Sequence, residues 1–150
     1  MHPISVVIAD SDHARRVECE RLLRQDPDVR LAGEPDIFVV GHAKEPSEML
    51  AALACHRPET VILGAEENSP RVLELVSVIR SGWPTTRTLL LSSHDTAADW
   101  MIQAVLCGAR GLLTSDSLSR QLLKALRVIR GNQLWISRRL AGRLLDRALH

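Results

Sequence analysis

Two carboxylates one residue apart, Asp10 and Asp12, follow directly on the β-branched run of residues 4–9. On a loop after a strand, such a pair and a backbone carbonyl could hold a cation, and Mg²⁺ would ask for octahedral oxygen ligands. Two solvated loop carboxylates are the plainer reading, and it is the one adopted. Glu66 and Glu67 could place fixed negative charge near Ser92, and His94 could join them as a ligand or pH sensor. Exposed loop side chains again account for all three. Near the end of the chain, Arg138, Arg139, Arg143 and Arg147 run beside Leu140, Leu144 and Leu145 at helical spacing. That pattern favours an amphipathic linker or dimer helix over a basic strip held to phosphate by salt-sensitive contacts. Trp135 is the one aromatic residue nearby, too few for a stacking platform on single strands. A Gly-rich phosphate loop, a nucleophile elbow and an HExxH pattern are all missing, so an enzyme is the weakest reading.

The elements that must position these residues fit one domain of 150 residues. A hydrophobic content of 45% with 25% charged residues is that of a globular chain rather than a disordered one. Nineteen basic against eighteen acidic residues give no global pull towards nucleic acid or an acidic membrane. Cys19, Cys55 and Cys107 are odd in number and far apart, which suits buried core thiols and neither a disulfide framework nor a zinc site. No run approaches the ~18 apolar residues of a membrane span. Met1-His2-Pro3 leads straight into a strand pattern, leaving no room for a signal peptide, so a cytoplasmic location is the expectation.

The apolar period switches repeatedly along the chain. Strands are predicted at residues 4–9, at 37–40 ending on Gly41, at 60–63, at 88–91 and at 112–113. Between them, Ala14, Val17, Cys19, Leu22 and Leu23 mark one helix, and Met49, Leu50, Leu53 and Ala54 a second. Ser69-Pro70 opens a third with a capping serine and a first-turn proline, carrying Val72, Leu73, Val76 and Ile79 on one stripe. Trp100, Ala104 and Leu106 belong to a fourth that ends at Gly108. Leu118, Leu122, Ala125, Leu126 and Ile129 form the clearest stripe, stopped by Gly131. Strands alternating with helices imply βαβ units and a parallel sheet covered on both faces. Such sheets work beyond the carboxyl ends of their strands, so the tips after Ala9, Leu63, Leu91 and Leu113 are where a site belongs.

Those tips carry a resemblance. Val6-Val7-Ile8-Ala9-Asp10, Leu22-Leu23 with Asp26-Pro27-Asp28, Val39-Val40-Gly41, Arg57-Pro58-Glu59 and Trp83-Pro84 with Thr86-Arg87 match, in order, response-regulator receiver domains. Ser92-Ser93-His94-Asp95, Gly108-Ala109-Arg110-Gly111 and Leu134-Trp135-Ile136-Ser137 extend the match over nearly the whole chain. The sequence is most similar to the NarL/FixJ group, whose members usually carry a LuxR-type DNA-binding domain. The resemblance implies a flavodoxin-like (CheY-like) five-stranded parallel sheet of order 2-1-3-4-5. It also implies a receiver-like domain over residues 1–131, with 132–150 a linker or dimerisation helix leading towards an output domain.

The resemblance fails at the phosphorylation pocket. The position of the phosphate-accepting aspartate is Gly64, which has no side chain to form an acyl phosphate. The acidic pair that binds Mg²⁺ in the family reads Asp10-Ser11, with Asp12 one place on. The expected lysine falls at Ser115 and the aromatic switch at Leu112, while the hydroxyl after the fourth strand is kept as Ser92. Phosphoryl transfer rests on positioning and charge neutralisation, so neither phosphorylation nor a bound metal or cofactor is expected here. The stretch at residues 30–38 is longer than the family needs and predicts an enlarged surface loop. The expected function is a regulatory module of a transcriptional regulator, acting without phosphorylation as a homodimer or by docking a protein partner. DNA would be met only through an output domain. A sensor of a small molecule or metal in the vacated pocket, or a stand-alone adaptor, is the alternative.

Overall fold

The computed structural model describes residues 3–24, 37–66, 68–93 and 96–150. The long stretch before the second strand lies mostly outside the described residues, as do Glu67 and His94. Strands and helices alternate as β1 (Ile4–Ala9), α1 (His13–Leu23), β2 (Ile37–Ala43), α2 (Pro46–His56), β3 (Thr60–Gly64) and α3 (Pro70–Gly82). They continue as β4 (Arg87–Ser92), α4 (Ala98–Cys107), β5 (Ala109–Thr114), a 3₁₀ turn (Ser115–Ser117), α5 (Leu118–Arg130) and α6 (Arg138–Leu149). All strand pairings are parallel, in the order β2-β1-β3-β4-β5.

Two cores follow from the period-2 alternation of strand side chains. Ile4, Val6 and Ile8 of β1, Ile62 of β3 and Leu89 and Leu91 of β4 meet Cys19, Leu22 and Leu23 of α1 and the α5 stripe. Val7, Ala9, Val61, Leu63 and Leu90 point the other way, onto α2, α3 and α4. Each fully buried aliphatic chain contributes roughly 2 kcal/mol, and all five stripe residues of α5 are buried. Ser69 caps α3 as expected, its Oγ accepting from Val72 N–H at 3.4 Å. The indole of Trp100 donates to the Ser69 carbonyl at 2.7 Å, tying α4 to that cap.

Several expectations need correcting. β2 runs through Gly41 to Ala43, because Val6 pairs with Val39 and Val7 with Gly41, leaving Val40 as an extra residue in a bulge. β5 spans six residues rather than two. Its sparse apolar content reflects an edge strand, and Trp135 covers that edge: its N–H donates to the Arg110 carbonyl and its own carbonyl accepts from Leu112 N–H, both at 2.9 Å. Cys19 is buried, but Cys55 is exposed and Cys107 half-buried, so the core reading holds for one thiol of three. Val17 and Leu106, read as part of apolar stripes, are exposed. α6 packs on α4 through buried Leu140, and Arg143 donates to Asp99 at 3.1 Å.

Candidate functional site

The carboxyl ends of β1, β3 and β4 bring Asp10, Gly64 and Ser92 to one place. Asp10 follows β1 directly and is 3% exposed, so its carboxylate has left water and needs partners. Arg15, on the first turns of α1, supplies them. Its Nε donates to one carboxylate oxygen and its Nη2 to the other at 2.9 Å, a two-pronged guanidinium–carboxylate pair. The backbone N–H of Asp12 donates to the same carboxylate at 2.9 Å. Hydrogen bonding to Asp10 raises the Arg15 pKa, against the lowering effect of burial.

Gly64 makes this arrangement possible. A Cβ built there would lie 2.2 Å from Asp10 Cγ, so the carboxylate occupies the space a side chain at position 64 would claim. Part of the vacated pocket expected from the sequence is therefore taken up by the carboxylate, and Asp10, Ser11 and Gly64 line what stays open beside it. A groove of about 180 Å³ remains alongside, walled by Met49, Leu63, Val72 and Leu75, with exposed Glu66 at its rim.

The remaining predicted residues take separate places. Asp12 is the N-cap of α1, its Oδ1 accepting from Arg15 N–H at 3.1 Å, and Ser11 is exposed. The reading of Asp10 and Asp12 as solvated carboxylates is thus wrong for Asp10, which is ion-paired, and incomplete for Asp12, which is a cap. Ser115 reaches both sides of the site: its Oγ accepts from Arg15 Nη1 at 3.4 Å and donates to the Ser92 carbonyl at 3.5 Å. Ser92 itself is buried. Leu112 belongs to the α2–α3–α4 face of the sheet and is not part of this cluster.

Sequence reasoning missed Arg15 and Arg16. Arg16 is also buried, donating to the Asp10 carbonyl at 2.8 Å and contacting His13 Nδ1 at 2.9 Å. A signal existed. The first turn of a helix repels cations, and α1 places two arginines there with Asp12 at its N-cap and Asp10 just before it. Such a start needs an anion close by.

A divalent cation does not fit these residues. Both oxygens of Asp10 are taken by Arg15, Ser11 and Gly64 offer no carboxylate, and Asp12 is engaged as a cap. Among the described residues no group of three or more His, Cys, Asp or Glu could hold a metal ion.

The chain shares 89% of its length and all of the other chain with the solved NarL signal receiver domain of Mycobacterium tuberculosis, at 27% identity and a TM-score of 0.71. It has the receiver fold. A LuxR-family two-component response regulator from Aurantimonas sp. SI85-9A1 superposes over 99% of both chains with a TM-score of 0.77 at 20% identity, which speaks for the fold alone. Among curated proteins, the DNA-binding transcriptional activator DevR/DosR of Mycobacterium tuberculosis is 28% identical over 115 residues, covering 77% of this chain and 52% of that protein. "Probable transcriptional regulatory protein NarL" of the same organism is 30% identical over 122 residues, 81% of this chain and 52% of that protein. The receiver-fold chain thus spans about half the length of the curated relatives it matches. No protein-family model matches it. Its relatives and structural neighbours are response regulators of the NarL/LuxR type, and no described helix is long and apolar enough to cross a membrane.

Proposed function

We propose that this chain is the receiver module of a cytoplasmic NarL-type transcriptional regulator and that it signals without being phosphorylated. One observation carries the reading: the Asp10 carboxylate lies where a phosphate-accepting side chain at position 64 would stand, already neutralised by Arg15. A phosphoryl group at this place would need a nucleophile, a cation to offset its charge and room. Gly64 supplies no nucleophile, Arg15 is committed to Asp10, and the Asp10 carboxylate stands where a side chain at position 64 would begin. The module is a regulatory and not a catalytic one. Its output passes through self-association or a protein partner, and DNA is reached through an output domain like that of its relatives.

Incubation of the protein with acetyl phosphate and Mg²⁺, followed by phosphate-affinity electrophoresis, tests this directly. A single unshifted band is expected. A shifted band that disappears in Asp10→Ala would overturn the proposal.

A further inference from the structure

At the opposite end of the sheet, a groove of about 590 Å³ opens between the last turns of α3 and α4, the first residues of β4 and β5, and the linker before Trp135. Arg80, Arg87 and Arg110 line it, with no carboxylate among the described residues of its wall. Each guanidinium is held by a neutral acceptor: Arg80 donates to the Leu106 carbonyl at 3.3 Å, Arg87 to Asn132 Oδ1 at 2.8 Å and Arg110 to the Asn132 carbonyl at 3.5 Å. A carbonyl fixes a guanidinium in place and leaves its charge uncompensated. Glu59 lines an adjoining pocket with Arg87, and its carboxylate pairs with Arg130 at 3.7 Å. The stem of Arg80 lies over Gly108, where a Cβ would come within 2.9 Å of its Cδ and where φ is +128°, so glycine is what permits this placement.

The same groove explains two otherwise misplaced side chains. Leu106 and Leu134 line it and are 53% and 44% exposed. Three fixed cations beside an apolar shelf suit a ligand that carries several phosphate charges at one end and a flat apolar body at the other. Guanidinium forks bind phosphate oxygens in pairs, and the groove volume falls in the range of small-ligand sites, roughly 300–1,000 Å³.

We infer that this groove binds a nucleoside di- or triphosphate, its phosphates among Arg80, Arg87 and Arg110 and its base against Leu106 and Leu134. The inference does not rest on the phosphorylation-independent reading above, since the two places share no residue. Because Asn132 and Leu134 form one wall, an occupant touches the segment that leads through Trp135 to α6.

Isothermal titration calorimetry on the whole chain with ATP, GTP, pyrophosphate, adenosine and a short DNA duplex tests it. One nucleotide per chain is expected to bind, more tightly than pyrophosphate or adenosine. Arg80→Ala and Arg110→Ala should each weaken it by about tenfold or more, the loss expected of a charge-assisted pair. Leu106→Ser, at an exposed position, should weaken nucleotide and leave pyrophosphate unchanged, with circular dichroism melts confirming that every variant folds. No binding at millimolar nucleotide, binding indifferent to these substitutions, pyrophosphate as tight as nucleotide, or duplex DNA preferred at the same arginines would each overturn the assignment.

Discussion

Both ends of the sheet gather arginine, and they treat its charge in opposite ways. Beyond the carboxyl ends, Arg15 closes on a buried carboxylate with two donors while Arg16 caps the same loop. At the amino ends, Arg80, Arg87 and Arg110 are steadied by carbonyls and keep their charge facing a groove. The arginines of the first end find their partners inside the protein, and those of the second end line a groove. Charge alone therefore says little about where a ligand would sit. What matters is whether the partner of each charge is already inside the protein.

Perturbing each end separates the two. Burial pushes the Cys19 thiol, beneath the closed end, up to about 12, with the nearby Asp10 charge adding to the shift. Alkylation of the native protein at pH 8 should label exposed Cys55 and half-buried Cys107 first and spare Cys19 by more than about a hundredfold, since each pKa unit is a factor of ten in thiolate. The sign for stability follows. The unfolded thiol ionises near 9.0 while the folded one holds its proton, so this contribution is intact below pH 9 and is lost as pH rises towards 12. Equal labelling of all three thiols in mass spectra would contradict a tightly packed closed end.

Arg15→Ala comes next. It leaves a carboxylate whose side chain is 1% exposed without its cation, and should cost about 3 kcal/mol in urea unfolding. Gly64→Ala should follow at about 2 kcal/mol, since its Cβ must displace the Asp10 carboxylate. At the open end, exposed Arg80→Ala should change stability by less than about 0.5 kcal/mol. A loss there comparable to Arg15→Ala would mean that the groove arginines are structural, and the contrast between the two ends would fail.

Much of the fold was legible because it rests on repeated local signals. The α5 stripe, the Ser69-Pro70 start and the Leu89-Leu90-Leu91 run of β4 each carry their own local signal. Edges were harder to read. β5 alternates buried and half-buried residues, and Trp135, twenty-four residues from its partner Gly111, completes its edge. The site was readable as a set of positions and opaque as an arrangement. Sequence spacing places Asp10, Gly64, Ser92 and Ser115 at neighbouring tips. It does not say that a carboxylate swings into the space above a glycine, because that depends on a cation arriving from the next helix. Nor could pattern reading find the groove arginines, whose common feature is a shared neutral acceptor, Asn132, or a helix-end carbonyl.

The internal Asp10–Arg15 pair is the point on which the closed end depends, and a double-mutant cycle with Asp10→Asn and Arg15→Gln measures it most directly. Unfolding free energies of the four proteins should give a coupling of about 2 kcal/mol or more, as expected for a buried pair of this geometry. A coupling below about 0.5 kcal/mol, the value of an exposed surface pair, would contradict the account and leave Asp10 free for other partners.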